Sequence, residues 1–223
     1  FGCQQSVNDG ERLKGVLQDL GYTLVAEPAE ADLILFNTCA VREHAEQRVF
    51  GDIGALKALK QKDPQLLIGL CGCMAEEKTT VDKLRESYPY VDMVLGVNAA
   101  HLLPDALVEK FTTRKRALRV PPIPMDIVEE VPLQRESLFK AFLPIMYGCD
   151  NYCSYCIVPY VRGAERSRTP EDILAEFEQL VADGYKEITL LGQNVNSYGK
   201  GLEEKLDFSD LLTLLTKTEG EYK

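Results

Sequence analysis

The amino-acid sequence predicts an α/β fold arranged as two successive units. Short apolar runs alternate with helical periodicities along the first half, which is typical of a parallel sheet whose strands are joined by helices. After a proline-containing stretch, a strand, a loop and a helix follow one another twice, which is typical of the beginning of a β/α barrel. A chain of 223 residues accommodates two ordinary domains.

The first unit is predicted to be a parallel-sheet α/β domain over residues 1–110. An apolar helical face runs from Leu13 to Leu20 and ends at Gly21, a residue suited to closing a helix. Three short apolar runs are expected to form buried strands, at residues 32–37, 66–70 and 91–95.

The second unit is predicted over residues 138–223, after a linker at residues 111–137 that holds several prolines and no sustained period. A strand at residues 141–147 opens it. The helix that follows has a clear start, with Thr169 as N-cap and Pro170 in the first helical position. The remaining predicted elements are a strand and a helix, at residues 187–191 and 208–215.

Composition excludes several classes of protein. No apolar run approaches the roughly 20 residues of a membrane span and no leader opens the chain, so a cytoplasmic protein is expected. Seven cysteines are an odd number in a chain too large for a disulfide scaffold, which favours metal binding. The net charge of −10 argues against a simple nucleic-acid-binding module. Because the chain begins with Phe1, we expect both ends to be cut.

Cys149, Cys153 and Cys156 form a C-x3-C-x2-C motif on the loop after the first predicted barrel strand. Structural zinc usually takes four ligands, and neither of the two histidines of the chain lies in this unit. Three thiolates on one loop suit a four-iron cluster with one iron left open. That iron can bind S-adenosylmethionine, which an electron from the cluster then cleaves to a 5′-deoxyadenosyl radical. The motif therefore predicts a radical enzyme.

Four further residues are candidates for binding S-adenosylmethionine. Tyr155 directly precedes Cys156, where an aromatic ring would pack against the adenine, and a core tyrosine is the alternative. Gly192, Gln193 and Asn194 follow the second predicted barrel strand on the same face. Their amides are placed to hold the methionine end of the cofactor, and an ordinary turn is the alternative.

Three more cysteines are predicted to meet in the first unit. Cys39 and Cys73 follow predicted strands, and Cys3 lies where a truncated first strand would end. Since the carboxyl ends of parallel strands share one edge of a sheet, the three resemble a second cluster site. Scattered buried cysteines are the alternative. Cys71, at the end of its strand, is expected to be a buried thiol.

Several blocks of sequence resemble the radical-SAM methylthiotransferases, and within them the tRNA 2-methylthioadenosine synthases. The blocks are FGCQ at residues 1–4, NTCAVRE at 37–43, GCM at 72–74, GCDNYCSYCIVPYVRGAERSR at 148–168 and LLGQNVNSYG at 190–199. The resemblance implies an N-terminal auxiliary-cluster domain, a radical-SAM barrel of which only the first part is here, and an RNA-binding TRAM domain that this chain lacks.

The resemblance also implies two [4Fe-4S] clusters and two molecules of S-adenosylmethionine. It matches Cys149, Cys153 and Cys156 to the ligands of the radical cluster. The auxiliary ligands would be Cys3, Cys39 and Cys73, with Cys71 set aside because the family cysteine is the one in GCM. One S-adenosylmethionine would methylate a sulfur on the auxiliary cluster. The radical from the second would abstract the hydrogen from C2 of the adenine, and the resulting carbon radical would attack the methylated sulfur.

A departure from the family pattern lies at Ala164, where a basic residue is common. Arg162, Arg166 and Arg168 remain nearby. They are expected either to contact the RNA backbone or cofactor, or to form structural ion pairs.

The implied substrate is N6-isopentenyladenosine beside the anticodon of tRNA. The implied partners are tRNA and an electron donor such as flavodoxin or ferredoxin, and a monomer without membrane association is expected. Sister methylthiotransferases are the alternative, acting on threonylcarbamoyladenosine in tRNA or on a ribosomal-protein aspartate. From other classes, an iron–sulfur electron carrier or sensor and a zinc-binding adaptor remain open.

Overall fold

The computed structural model describes residues 2–40, 43–123, 127–129 and 131–223. The chain separates into two compact units. The first comprises residues 1–124 and 130–134, and the second comprises residues 125–129 and 135–223. No helix of the described residues is long and apolar enough to cross a membrane.

The first unit contains a parallel sheet, as the alternation of strands and helices predicts. Four strands are described in it, in the order β1-β2-β3-β4. They are β1 (Leu33–Thr38), β2 (Leu67–Gly72), β3 (Met93–Leu95) and β4 (Ala117–Arg119). The helices are α1 (Gln4–Asp19), α2 (Glu43–Ala55), α3 (Lys57–Lys62), α4 (Lys78–Ser87) and α5 (Leu103–Thr113).

Both faces of this sheet are buried, because alternate residues of each strand pack in opposite directions. On β2, Leu67 and Cys71 belong to a core that includes residues of α1 and α5. Ile68 and Leu70 belong to a second core with residues of α2 and α4. The strands β1, β2 and β3 begin and end within two residues of the predicted ones.

The segment at residues 111–137 contains more regular structure than the linker we expected. Helix α5 continues to Thr113, and β4 pairs in parallel with β3. Residues 124–126 and 130 of the predicted linker lie outside the described residues.

The second unit pairs β5 (Lys140–Pro144) in parallel with β8 (Glu187–Leu191). Between them lie β6 (Met146–Tyr147), α6 (Val158–Arg162), β7 (Arg166–Ser167) and α7 (Pro170–Ala182), and α8 (Phe208–Leu215) comes after β8. The N-cap prediction for α7 is confirmed, since the Thr169 side chain accepts a hydrogen bond from the Asp172 amide. The strand expected at residues 141–147 was wrong as a single element, because the chain leaves the β5–β8 pair at Pro144 and Met146–Tyr147 pairs antiparallel with Arg166–Ser167.

Candidate metal centres

Cys39 and Cys73 leave one edge of the first sheet at corresponding positions. In the parallel pairing of β1 and β2, Thr38 lies opposite Gly72, and each cysteine is the next residue. Their side chains are 4% and 1% exposed. Neighbouring strands are about 4.8 Å apart. The register therefore brings together two thiols that are far apart in the sequence, as the strand pattern predicts.

Cys3 lies at the N-cap of α1, with an extended backbone and an exposed side chain. Its carbonyl accepts hydrogen bonds from the Ser6 hydroxyl at 2.9 Å and the Val7 amide at 3.1 Å. The residue before it is close to Cys39: a Cβ atom added to Gly2 would lie 3.2 Å from the Cys39 Cβ. The beginning of α1 thus lies beside the cysteines at the strand ends.

The turn between β2 and Cys73 depends on a glycine. Gly72 has a φ of +91°, and a Cβ there would lie 2.5 Å from the Thr38 carbonyl oxygen. The Thr38 hydroxyl also donates to the Cys71 carbonyl at 2.6 Å. Together these contacts hold the ends of β1 and β2 in fixed register immediately before the two buried cysteines.

Cys71 faces away from that edge into the core between the sheet and α1 and α5. It is 2% exposed, and burial raises the pKa of its thiol to about 12. Its place in this core, and not its burial, distinguishes it from Cys39 and Cys73, which are just as buried but follow the strand ends. The prediction of a buried thiol is confirmed.

Cys149 begins the cysteine loop of the second unit. Its amide donates to the Gly163 carbonyl at 3.2 Å, and its side chain is 8% exposed. Gly148 before it has a φ of +72°, and a Cβ there would collide with the Ala164 carbonyl oxygen. Close backbone packing therefore anchors the start of the loop.

The rest of that loop is more open. Cys153 is exposed and Cys156 is half-buried, and the Cys156 amide donates to the Cys153 carbonyl at 2.9 Å. Tyr155 is 91% exposed, so the alternative of a core tyrosine was wrong. Its ring is accessible to a ligand beside the loop.

Gly192, Gln193 and Asn194 leave the same end of the β5–β8 pair as the cysteine loop. Pro144 pairs with Leu191, and the Ile145 amide donates to the Leu191 carbonyl at 2.8 Å. A Cβ on Gly192 would lie 2.6 Å from the Met146 Cγ, so close packing requires glycine there. Asn194 precedes a 3-10 turn, in agreement with the turn alternative. Gln193 and Asn194 are half-buried.

The three arginines differ in environment. Arg168 is 4% exposed and forms ion pairs with Glu129 at 2.6 Å and Glu176 at 2.8 Å. Burial alone would lower the pKa of Arg168, and the two carboxylates outweigh it and raise that pKa. Arg168 is thus a structural ion pair. Arg162 and Arg166 are buried. Desolvation lowers the pKa of Arg166, and the charge of Arg162 lowers it further, while Tyr147 has a raising effect that does not outweigh them.

Sequence reasoning missed a buried carboxylate between the two loops of the second unit. The Glu165 side chain accepts a hydrogen bond from the Ser197 hydroxyl at 2.7 Å and lies 3.6 Å from the Lys200 ammonium. The Glu165 amide donates to Asp150 at 3.2 Å. These contacts link the cysteine loop to the loop after β8. No local periodicity marked Glu165, since its partners are distant in sequence.

The described residues contain no group of three or more His, Cys, Asp or Glu side chains that could hold a metal ion. A single zinc ion requires its sulfur ligands to converge at about 2.3 Å from one point. In a cubane cluster each cysteine binds a different iron, so the sulfurs are further apart. Each set of three thiolates is a donor set of the kind that iron–sulfur clusters take.

Two protein-family models match the chain. Residues 1–96 match the uncharacterized protein family UPF0004, and residues 143–220 match the radical SAM superfamily. The chain passes from one compact unit to the other between residues 124 and 135, within the stretch 97–142 that neither match covers.

Several curated proteins similar to this chain carry the name tRNA-2-methylthio-N(6)-dimethylallyladenosine synthase. Those of Clostridium perfringens and Caldicellulosiruptor saccharolyticus are 50% identical over 220 residues, which is 99% of this chain and 49% and 47% of those proteins. The protein of Thermoanaerobacter sp. is 48% identical over 99% of this chain and 47% of its own length. The chain therefore spans about half the length of the curated relatives it matches.

Proposed function

We propose that this chain, in which a region of the UPF0004 family precedes a region of the radical SAM superfamily, is part of a MiaB-type tRNA methylthiotransferase. The reaction would place a methylthio group on C2 of N6-isopentenyladenosine next to the anticodon. The names of the similar curated proteins support this substrate. The observation that carries the proposal is the presence of two separate cysteine triads. Cys39 and Cys73 follow two paired parallel strands and Cys3 begins α1, whereas Cys149, Cys153 and Cys156 share one loop.

In this proposal the first triad, Cys3, Cys39 and Cys73, holds an auxiliary [4Fe-4S] cluster. The shared sheet edge, the burial of Cys39 and Cys73, and the contact of Gly2 with Cys39 support it. The proposed auxiliary-cluster domain covers residues 1–110. A connecting segment at residues 111–137 leads to a radical-SAM region at residues 138–223.

The second triad, Cys149, Cys153 and Cys156, would hold the cluster that binds S-adenosylmethionine. When bound, this second cluster would supply the electron that cleaves S-adenosylmethionine, and the auxiliary cluster would supply the sulfur that is transferred. The exposed ring of Tyr155 would cover the adenine. The backbone at Gly192, Gln193 and Asn194, beside the same strand ends, would orient the methionine end.

The main tasks of the chain are to hold the cysteine loop and the loop after β8 in fixed positions and to exclude water from the site. Gly148 and Gly163 pack the start of the cysteine loop against the backbone at Ala164. The Glu165–Ser197 hydrogen bond ties that loop to the one after β8. Positioning of this kind accounts for a large part of catalysis when the cofactor carries the chemistry.

Three measurements test the proposal. Anaerobic reconstitution of this chain with iron and sulfide should give about eight irons per chain, four for each cluster. Addition of dithionite and S-adenosylmethionine should then release 5′-deoxyadenosine. A protein spanning the full length of the relatives, given an isopentenyl-modified anticodon stem-loop, should yield methylthiolated RNA by mass spectrometry.

Each alternative predicts a different outcome. An electron carrier or sensor would be reduced without cleaving S-adenosylmethionine, and a zinc adaptor would bind zinc in place of iron. A sister methylthiotransferase would release 5′-deoxyadenosine and leave the isopentenyl RNA unmodified. We propose a cytoplasmic, monomeric enzyme that receives electrons from a protein such as flavodoxin or ferredoxin and acts on tRNA.

A further inference from the structure

The buried face of α1 changes character along the helix. Its later turns bury Leu13 and Val16 in the core against the sheet. Its first two turns bury amides instead: Gln5 is 4% exposed and Asn8 is 0% exposed. Amide side chains with nowhere to hydrogen-bond are seldom placed in a protein interior.

Among the residues that the structure describes, these amides have no hydrogen-bond partner. Neither the nitrogen nor the oxygen of the Gln5 and Asn8 side chains makes a hydrogen bond, and the Asn37 side-chain oxygen also makes none. Native proteins contain only a few such atoms per hundred residues, and each calls for a ligand, ion or water. Five of them on α1 and the facing strand β1 indicate that a polar partner binds there.

The position of these amides identifies the region they face. Gln5 is two residues after Cys3, in the first turn of α1. The Asn37 side chain, two residues before Cys39, donates to the Ser6 carbonyl at 2.5 Å. The N-terminal end of this 16-residue helix, which carries the positive end of the helix dipole, therefore lies at the edge where the three cysteines leave the fold.

We propose that the side-chain amides of Gln5 and Asn8 donate N–H bonds to the sulfur atoms of the auxiliary cluster. This inference rests on the proposed function, which places a cluster on Cys3, Cys39 and Cys73. Each amide nitrogen carries two N–H donors, and sulfides and thiolates are acceptors with negative charge. Hydrogen bonds to the sulfurs and exclusion of solvent are two of the factors that set the potential of such a cluster.

The expected effect is on reduction. A reduced cluster carries one more negative charge, so N–H donors stabilise it more than the oxidised cluster and raise the reduction potential. Loss of a donor should make the cluster harder to reduce. Trapped water is the competing explanation, and water that fills a separate polar cavity would leave the potential unchanged.

The experiment uses the whole chain with Cys149, Cys153 and Cys156 replaced by alanine, which leaves only the auxiliary site. Gln5→Met and Asn8→Leu keep approximate volume and remove the amide. Leu13→Met, a swap of similar size further along α1, is the matched control. After anaerobic reconstitution, iron content and the reduction potential are measured for each variant, and urea unfolding is followed for the cluster-free proteins.

Each amide variant should bind about four irons and show a reduction equilibrium lowered about tenfold, which is about 59 mV for a one-electron couple. The control should match the parent. The cluster-free Gln5→Met and Asn8→Leu chains should be at least as stable as the parent, because they no longer bury unpaired amides. If Asn8→Leu does not fold, Asn8→Ala gives the same test with a smaller side chain that also lacks a donor.

An unchanged potential in both amide variants would overturn the inference and leave the cluster proposal intact. Failure of the parent background to bind any iron would overturn both. A fall in potential that the Leu13→Met control shares would attribute the effect to packing, which also rejects the inference.

Discussion

The two cysteine triads are built in opposite ways. Cys3, Cys39 and Cys73 span some 70 residues and are positioned by the start of a helix and the ends of two strands. The second triad, from Cys149 to Cys156, lies on one irregular loop, where only the first thiol is buried. The geometry of the first site thus comes from the fold, and that of the second from a loop anchored at one end. Mutations should separate these two cases.

The largest expected effect comes from the cysteines themselves. Cys73→Ala should remove about four irons per chain and abolish methylthiolation, while 5′-deoxyadenosine formation persists. Cys149→Ala should do the reverse, removing the other irons and the 5′-deoxyadenosine. Iron analysis and chromatography of the products measure both.

Cys71→Ala is the matched control for Cys73→Ala, since it removes a buried thiol from β2, two residues before Cys73. It should keep the full iron content. Loss of iron from Cys71→Ala with retention in Cys73→Ala would reverse the assignment of the auxiliary ligands.

The next effect concerns the scaffold of the second unit. Arg168→Leu leaves the Glu129 carboxylate without its buried cation, while Glu176 keeps only its ion pair with Arg135. Breaking such a pair costs about 3–5 kcal/mol of the free energy of unfolding. Urea unfolding followed by circular dichroism should show a second-unit transition at lower urea and an unchanged first-unit transition. A loss below about 1 kcal/mol, the value typical of exposed pairs, would contradict the buried ion pair.

Gly72→Ala and Gly148→Ala compare the two anchors directly, because each glycine precedes a proposed ligand and has positive φ. A left-handed conformation alone costs about 1–2 kcal/mol for alanine, and the backbone contacts at both sites should add to it. Gly21 has a φ of +87°, and a Cβ there would have no atom within 4 Å. Gly21→Ala therefore measures the loss of stability that comes from the left-handed conformation alone. Iron content should fall for the triad next to the altered glycine. Equal stability of all three variants would show that the contacts do not matter.

The smallest effect is a pH dependence confined to the second unit. Burial, and then Glu171, raises the pKa of Tyr198 to about 12 against an opposing effect of Arg168. Since the pKa in the folded state exceeds the unfolded value of about 10, this stabilisation is complete below pH 10 and is lost as the pH rises towards 12. Tyr198→Phe should flatten that alkaline decline.

At neutral pH, Tyr198→Phe should cost about 1 kcal/mol through loss of its hydrogen bond to the Arg168 carbonyl. Unfolding free energies of both proteins between pH 8 and pH 11 test this. Identical slopes would rule out Tyr198 as the titrating group.

The comparison also explains what could be predicted from sequence. The contiguous triad is visible as spacing alone, and the α7 start is visible because Thr169 and Pro170 act locally. The distributed triad required a topological step, which the Thr38–Gly72 register confirms for Cys39 and Cys73. The ligand roles of all six cysteines stay predictions.

Other features could not be predicted, because they depend on distant partners. The strand β4 follows a charged run in a stretch with no periodicity, and only its pairing with β3 makes it a strand. Gln5 and Asn8 are polar residues of the kind that usually face solvent on a helix. Tertiary packing nevertheless buries both of them. The Glu165–Ser197 hydrogen bond joins residues 32 positions apart.

The Thr38–Gly72 register has a consequence for the order in which the protein matures. Cys39 and Cys73 become neighbours only after β1 and β2 have paired across a crossover of almost thirty residues, a slow kind of contact to form. The loop from Cys149 to Cys156 needs no such pairing, and its thiols are close together even in an unfolded chain. If the two triads bind clusters as proposed, the second site needs only a local loop to take up iron and sulfide, whereas the first site needs its sheet to have formed.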